Sequence, residues 1–467
     1  MKTCQIEAGS CRDRSSSVLH HDGEIYRALR SPAVPGWTRL RDSLLFARRT
    51  ADGSLVRTRE VSLEEAGFTP PEGCEILLHH QRIPFISYPY EWCFSMLKDA
   101  ARLTLDLLCE ALEEKLTLRD ATPYNVQWQG TRPVFIDTPS FGEARSGVWM
   151  GYSQFCQLFL FPLMLQAYRD LDFRPWLRGS LDGIPADQCK AMMSARNLLK
   201  PGVLMHVHLH ASLQARPPAQ NGTDLRQEIA EAGFHEELLK ANSRRLRKLV
   251  EKLEWRRART TWSDYGTGQS YDEQEQARKA AFVRAAASDR ARRLVWDLGC
   301  NVGIYSRIAA EHADYVVAAD ADGLTIERLY NSLSQEESRK ILPLVINVSD
   351  PPPALGWRGT ERKTLPDRGR PELVLGLAVL HHICITANIR VPEFLDWVAS
   401  MGADLVLEFV TRQDPMVEAL LIHREDLYSD YDLAPFEAAL EARFEVLRRE
   451  EVCPGRRILY YARPRPA

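Results

Sequence analysis

Several things are missing from this sequence, and each absence closes a class. No two of the ten cysteines stand as Cys-x-x-Cys, so a zinc ribbon or a thioredoxin-like motif has no support. Residues 1–17 hold no apolar core of the kind a secretory signal needs. Scattered thiols without such a leader fit a reducing cytoplasm. There is no basic excess: 60 Lys and Arg face 63 Asp and Glu, a formal charge of −3. A general nucleic-acid binder carries a positive surplus, so none is expected as partner. The longest apolar stretch, Phe155 to Ala167, is too short for a bilayer and contains Gln157, Pro162 and Gln166, so it reads as a buried core helix. No G-x-G-x-x-G dinucleotide fingerprint occurs either.

What is present is ordinary folded-protein material: 467 residues, 45% apolar and 26% charged, enough for two large domains with cores of their own. Residues 1–20 read as a polar, disordered leader. An α+β domain is expected over 21–210. Within it Trp37 to Arg59 suggests hairpin strands around Asp52-Gly53, and Ile83 to Tyr90 a strand broken at Pro89. Apolar residues at helical spacing over Ser95 to Leu116 predict a long helix. Two short strands, Val126 to Trp128 and Val134 to Ile136, meet through Gly130.

Residues 211–223 are rich in Pro, Gly, Asn and Gln and read as a loop, and Asp224 to Arg259 as a charged helix. Together, 211–260 make a linker. That helix is a solvated connector or, alternatively, an anion-binding surface. From Arg292 onward strands alternate with helices, with strands at 294–298, 315–319, within 341–348, 373–377 and 405–409. That rhythm implies βαβ units and a mainly parallel sheet over 261–467.

The informative segment runs from Leu294 through Asp322. Asp297, Gly299 and Gly303 form D-x-G-x-x-x-G where a strand meets a helix, and the next strand ends on Asp320. Glycines permit a tight turn and close approach to backbone, and an acid one strand over can accept hydrogen bonds from both ribose hydroxyls of a nucleoside. This arrangement resembles motif I of the class I S-adenosylmethionine-dependent methyltransferases, over about residues 260–465. The resemblance implies a seven-stranded Rossmann-like sheet and S-adenosylmethionine as cofactor. It places Asp297 and Gly299 near the methionine part, Gly303 against the first helix, Asp320 at the ribose and Asn347 near adenine, with Cys300, Asn301 and Ala321 also among the cofactor-binding residues. Asn347 stands where many members carry Asp. Upstream, Trp262, Tyr265 and Tyr271 either fold over the cofactor or merely cap the sheet. The strings 355–362, 408–426 and the terminal RRILYYARP resemble a bacterial group of methyltransferase-domain proteins loosely named after a nodulation host-specificity protein.

After the fourth strand come His381 and His382, and the fifth holds Glu408. By the same resemblance the fourth strand end faces the transferred methyl. A histidine there would take a proton from the acceptor, with Glu408 as the rival. In-line placement supplies much of the acceleration in methyl transfer.

In the first half, Asp120 and Asn125 stand as D-x-x-x-x-N, with Asp137 twelve residues on. This order resembles the catalytic loop and metal-binding Asp of kinase-like phosphotransferases, in which the Asn and second Asp hold magnesium. It departs from them: Leu118 replaces the usual His, Thr138-Pro139 follows Asp137, and no glycine-rich loop or V-A-I-K lysine is seen. The domain is thus a kinase-like fold for substrate recognition or an unrelated α+β domain. His206, His208 and His210 would face one side of a strand and are read as structural, so no metal site is expected.

The sequence as a whole predicts a cytoplasmic methyltransferase acting on a small-molecule or carbohydrate-like acceptor. The alternatives are a bifunctional phosphotransferase–methyltransferase and a non-catalytic S-adenosylmethionine-binding protein.

Overall fold

The computed structural model describes residues 4–144, 149–214, 234–257, 272–422, 425 and 427–466. The chain forms two compact units. The first comprises Met1–Trp128, Arg132–Arg257 and Ala354–Arg362; the second comprises Gln129–Thr131, Ala258–Pro353 and Lys363–Ala467.

The first unit opens on a five-stranded antiparallel sheet: β1 (Gln5–Ile6), β2 (Ser16–His21), β3 (Glu24–Leu29), β4 (Thr58–Val61) and β5 (Ile76–His80), in the order β1-β2-β3-β5-β4. The expected leader therefore forms strands β1 and β2, with Leu19 of β2 buried against Ala28, Phe68 and Leu77. Trp37 to Arg59 is not a hairpin. It holds helices α1 (Val34–Arg41) and α2 (Leu44–Asp52), the second capped by Ser43, whose hydroxyl accepts the Phe46 N–H, and stopped by left-handed Gly53. That cap and stop outweigh the alternating pattern. Ile83 to Tyr90 makes no strand; a short 3-10 turn occupies Pro89–Glu91.

The long helix α3 (Phe94–Glu113) forms as its periodicity requires, burying Leu97, Ala100, Ala101, Leu105, Leu108 and Leu112. Then come β6 (Leu116–Leu118), the paired strands β7 (Val126–Gln129) and β8 (Arg132–Phe135), and β9 (Phe141–Glu143), which pairs with β6. Phe155 to Ala167 lies in continuous helix from Tyr152 to Arg169, with an i→i+5 stretch over Cys156–Leu160, and most of it is buried. Among the described residues no helix is long and apolar enough to cross a membrane. The histidine triplet is helical, over Val203–Leu209 and then His210–Gln214, not extended, so the three rings do not all share a face as they would on a strand. His206 Nδ1 lies 2.7 Å from the Tyr152 hydroxyl. Helix α4 (Phe234–Glu251) carries part of the charged stretch; its Arg247 Nε pairs with Asp106 at 2.5 Å.

The second unit begins with α5 (Glu273–Ala287) and then alternates: β10 (Arg292–Leu298), α6 (Ile304–Ala310), β11 (Ala313–Asp320), α7 (Gly323–Gln335), β12 (Ile341–Val345), β13 (Leu373–Gly376), β14 (Asp404–Val410), β15 (Phe444–Cys453) and β16 (Arg457–Pro464). The sheet order is β12-β11-β10-β13-β14-β16-β15. Strands β10 to β14 are parallel, and β16 runs antiparallel to both β14 and β15. Near-continuous apolar runs such as Leu405–Leu407 and Val316–Ala319 are buried, as strands of a sheet covered on both faces must be. From β10 the chain winds to β11 and β12, then returns to β13 on the other side of β10. That reversal opens a crevice at the carboxyl ends of β10 and β13. This is the doubly wound, mainly parallel sheet expected of the second half, beside an α+β first unit.

Candidate active site

The second unit holds a cavity of about 790 Å³ at that crevice. Its walls come from the ends of β10, β11, β12 and β13 and from one face of α5. Asp297, Gly299, Cys300, Asn301, Asp320, Ala321, Asn347, His381 and His382 all line it.

The turn after β10 is shaped by its glycines. Gly299 has φ +74°, and a Cβ there would lie 3.1 Å from Val379 Cγ2. Gly303, also at φ +74°, precedes α6, and its Cβ would meet Leu329 Cδ1 on α7 at 2.7 Å. Both need a left-handed backbone, and the second also lets two helices approach. Gly303 itself is not among the lining residues, in keeping with a packing position.

Asp320 closes the turn from the neighbouring strand. Its Oδ2 accepts the Asn301 N–H at 3.0 Å and its Oδ1 accepts the Asp322 N–H at 2.9 Å. Burial raises its pKa, and these backbone donors oppose the rise. A carboxylate offers about four acceptor sites, so Asp320 keeps capacity for a ligand hydroxyl beyond its backbone donors. Asn301 is itself left-handed at φ +48°, and its buried Oδ1 has no partner among the described residues. Asp297 is buried at the end of β10 and accepts from Ser306 Oγ at 2.5 Å. Burial pushes it up to about 6 against the Ser306 hydroxyl and the Lys279 charge. A crevice with an acid one strand over, an orphaned amide oxygen and a glycine turn fits an adenosyl cofactor: Asp320 would hold the ribose, and the Gly299–Asn301 backbone the methionine end.

His381 and His382 stand on the far wall, with ring centroids 4.1 Å apart. His381 is buried, and neither ring nitrogen has a partner among the described residues. Burial, then His382, then the charges of Arg457 and Lys279 hold its pKa far down. Burial pushes His382 down to about 4.

Glu408 is where expectation and structure part. It is fully buried in β14 and does not line the cavity. Lys279 of α5 donates to its Oε2 at 2.6 Å, and Arg457 lies 3.9 Å from its Oε1. Arg457 also grips Asp414, Nε to Oδ2 at 2.6 Å and Nη2 to Oδ1 at 3.2 Å. A carboxylate so held is a counter-ion, not a proton acceptor open to substrate. Lys279 and Arg457, which do line the cavity, were not singled out by the sequence reading. Lys279 sits in a helix without motif, and only its i+4 spacing to buried Val283, which marks the inward face, points to it. Tyr265 and Tyr271, with Trp262, lie outside the described residues.

In the first unit, Asn125 and Asp137 do come together. Asn125 Nδ2 lies 3.3 Å from Asp137 Oδ2, Ser140 Oγ bonds the same oxygen, and Arg27 of β3 donates to Oδ1 at 2.6 Å. Partial burial, then repulsion from Asp137, raises the pKa of Asp120. The 355–362 string is a tight hairpin closed by Leu355 and Arg362 and counted with this unit; its buried Glu361 accepts from Arg12 Nε at 2.8 Å.

Among known proteins, no family model matches the chain. Nodulation protein NoeA of Rhizobium meliloti (strain 1021) is 31% identical over 459 residues, which is 97% of this chain and 95% of that protein. Among solved structures, the N-methyltransferase NodS from Bradyrhizobium japonicum WM9 shares 14% identity at TM-score 0.31, covering 42% of this chain and 99% of its own. The bifunctional kinase-methyltransferase WbdD shares 17% at TM-score 0.31, covering 47% of this chain and 46% of its own. At such scores neither structural likeness bears on function. The chain belongs to the family of nodulation protein NoeA, and its second unit is built on the class I S-adenosylmethionine-dependent methyltransferase fold.

Proposed function

We propose that this methyltransferase moves the methyl group of S-adenosylmethionine to a small, carbohydrate-like acceptor. The observation that carries the reading is the cavity: one wall has the carboxylate and glycine turn suited to an adenosyl group, and the other has a buried imidazole whose two nitrogens have no partner among the described residues. The cofactor supplies an electrophilic methyl on a sulfonium. The chain supplies placement, through Asp320 at the ribose and the Gly299–Asn301 turn behind the methionine end. His381, neutral at working pH, accepts a hydrogen bond from the acceptor's hydroxyl or amine and turns its lone pair toward the methyl. His382 packs against His381 and sets the angle of its ring. A concave cavity of this size suits a small molecule or one end of a glycan.

The test is transfer of labelled methyl from S-adenosylmethionine to a cell extract, followed by fractionation. Label in the small-molecule or glycan fraction, lost in Asp320→Ala, is the expected result; label confined to protein or nucleic acid contradicts it.

The phosphotransferase alternative draws on the convergence of Asn125 and Asp137. It is weakened by Arg27, whose guanidinium stands against the oxygen a magnesium ion would need. ATP with magnesium is expected not to bind; calorimetric binding that disappears in Asp137→Ala would restore that alternative.

A further inference from the structure

Two buried cations line the cavity, and their carboxylate partners do not. Lys279 and Arg457 are each 3% exposed at the side chain and form part of the wall. Glu408 and Asp414, which pair with them, are as deeply buried and stand off the wall. Each ion pair therefore turns its positive end inward. The Lys279 ammonium also lies 4.8 Å from the ring centroid of Tyr305, another lining residue. Both positive charges reach the unpartnered ring of His381 and help to keep it neutral. A buried ion pair carries a desolvation cost that a pair of apolar side chains avoids. Asp297 lines the same cavity and feels the Lys279 charge, so the cations set the sign only of their own stretch of wall, where an anion is attracted and an ammonium repelled.

We infer that Lys279 and Arg457 form a subsite for a carboxylate carried by the acceptor, so that the acceptor is an acidic, uronate-like molecule rather than a neutral or amino sugar. The inference rests on the methyltransferase reading above. A carboxylate reaching this wall has two sources, the acceptor and the methionine end of the cofactor, and the experiment separates them.

The full chain, saturated with S-adenosylhomocysteine, is titrated calorimetrically with D-glucuronate and with D-glucose. Glucuronate is expected to bind at least about tenfold more tightly. Lys279→Met/Glu408→Met removes both members of one pair and leaves no lone charge buried. It should abolish the preference while holding S-adenosylhomocysteine to within about threefold. Lys279→Gln, which leaves Glu408 beside Arg457, is the second variant and should act alike; Lys279→Arg should keep the preference. Equal affinity for the two sugars in the native complex, or a preference that survives in both neutral variants, overturns the subsite. So does loss of S-adenosylhomocysteine binding in those variants with 5′-methylthioadenosine unaffected, because the carboxylate held would then be the cofactor's own. If the native chain binds no S-adenosylhomocysteine, the methyltransferase reading falls first.

Discussion

Each unit carries an acid at or just beyond a strand end that the sequence marks as chemical, yet the two acids live differently. Asp320 spends part of its acceptor capacity on backbone N–H groups of the turn beside it and faces a cavity with the rest. Asp137 has both oxygens engaged by Arg27, Asn125 and Ser140. The lesson is that an acid in a motif becomes a ligand site only where the fold leaves its acceptor capacity unspent. The first unit closes its carboxylate with an arginine from β3; the second leaves its own open beside an orphaned Asn301 oxygen.

The largest expected effect is in the second unit. Lys279→Met alone strands Glu408 beside a more distant Arg457 and should cost about 3 kcal/mol of stability. The double variant Lys279→Met/Glu408→Met should recover most of that, as read from urea midpoints. If the single variant is as stable as the native chain, the buried pair is not the counter-ion arrangement described. Next is Gly303→Ala. A left-handed backbone and a 2.7 Å approach to Leu329 predict a loss of about 1–3 kcal/mol, with helices α6 and α7 pushed apart. In the first unit, Arg27→Met should destabilise by about 1–3 kcal/mol and leave S-adenosylhomocysteine affinity unchanged. A change in that affinity would break the contrast between the two acids.

The pattern in the second half was legible because its signals are local. Strand, glycine turn, helix, strand and acid follow in order from Leu294 to Asp320, and the fold had only to close them. Two things escaped. Lys279 reaches Glu408 across 129 residues of sequence, and no spacing rule reports such a pair. In the first unit, Trp37 to Arg59 carried a strand-like alternation, but Ser43 and Gly53 start and stop a helix there. The polar start of the chain hid β2, whose few apolar positions gain their meaning only from the strands beside them.

The smallest expected effect is on pH dependence. Folding holds His382 neutral down to about pH 4, whereas an unfolded histidine takes its proton near 6.5. More protons then bind the unfolded chain, so this group's share of stability falls as pH drops from about 6.5 toward 4. Asp297 works the other way. It keeps its proton up to about pH 6 when folded, and so favours the native chain as pH falls across roughly 6 to 4. The readout is therefore the difference between native and His382→Gln midpoints at pH 7.5 and 5. The variant should lose less on acidification; an equal loss would mean that burial does not hold the ring neutral.

The central claim is that the crevice between β10 and β13 holds an adenosyl cofactor through Asp320. Calorimetry of S-adenosylhomocysteine with the native chain and with Asp320→Ala tests it most directly. The account predicts stoichiometric binding to the native chain and a loss of about 2–4 kcal/mol, some thirty- to a thousandfold in affinity, in the variant. No binding by the native chain, or equal affinity in the two proteins, would contradict it.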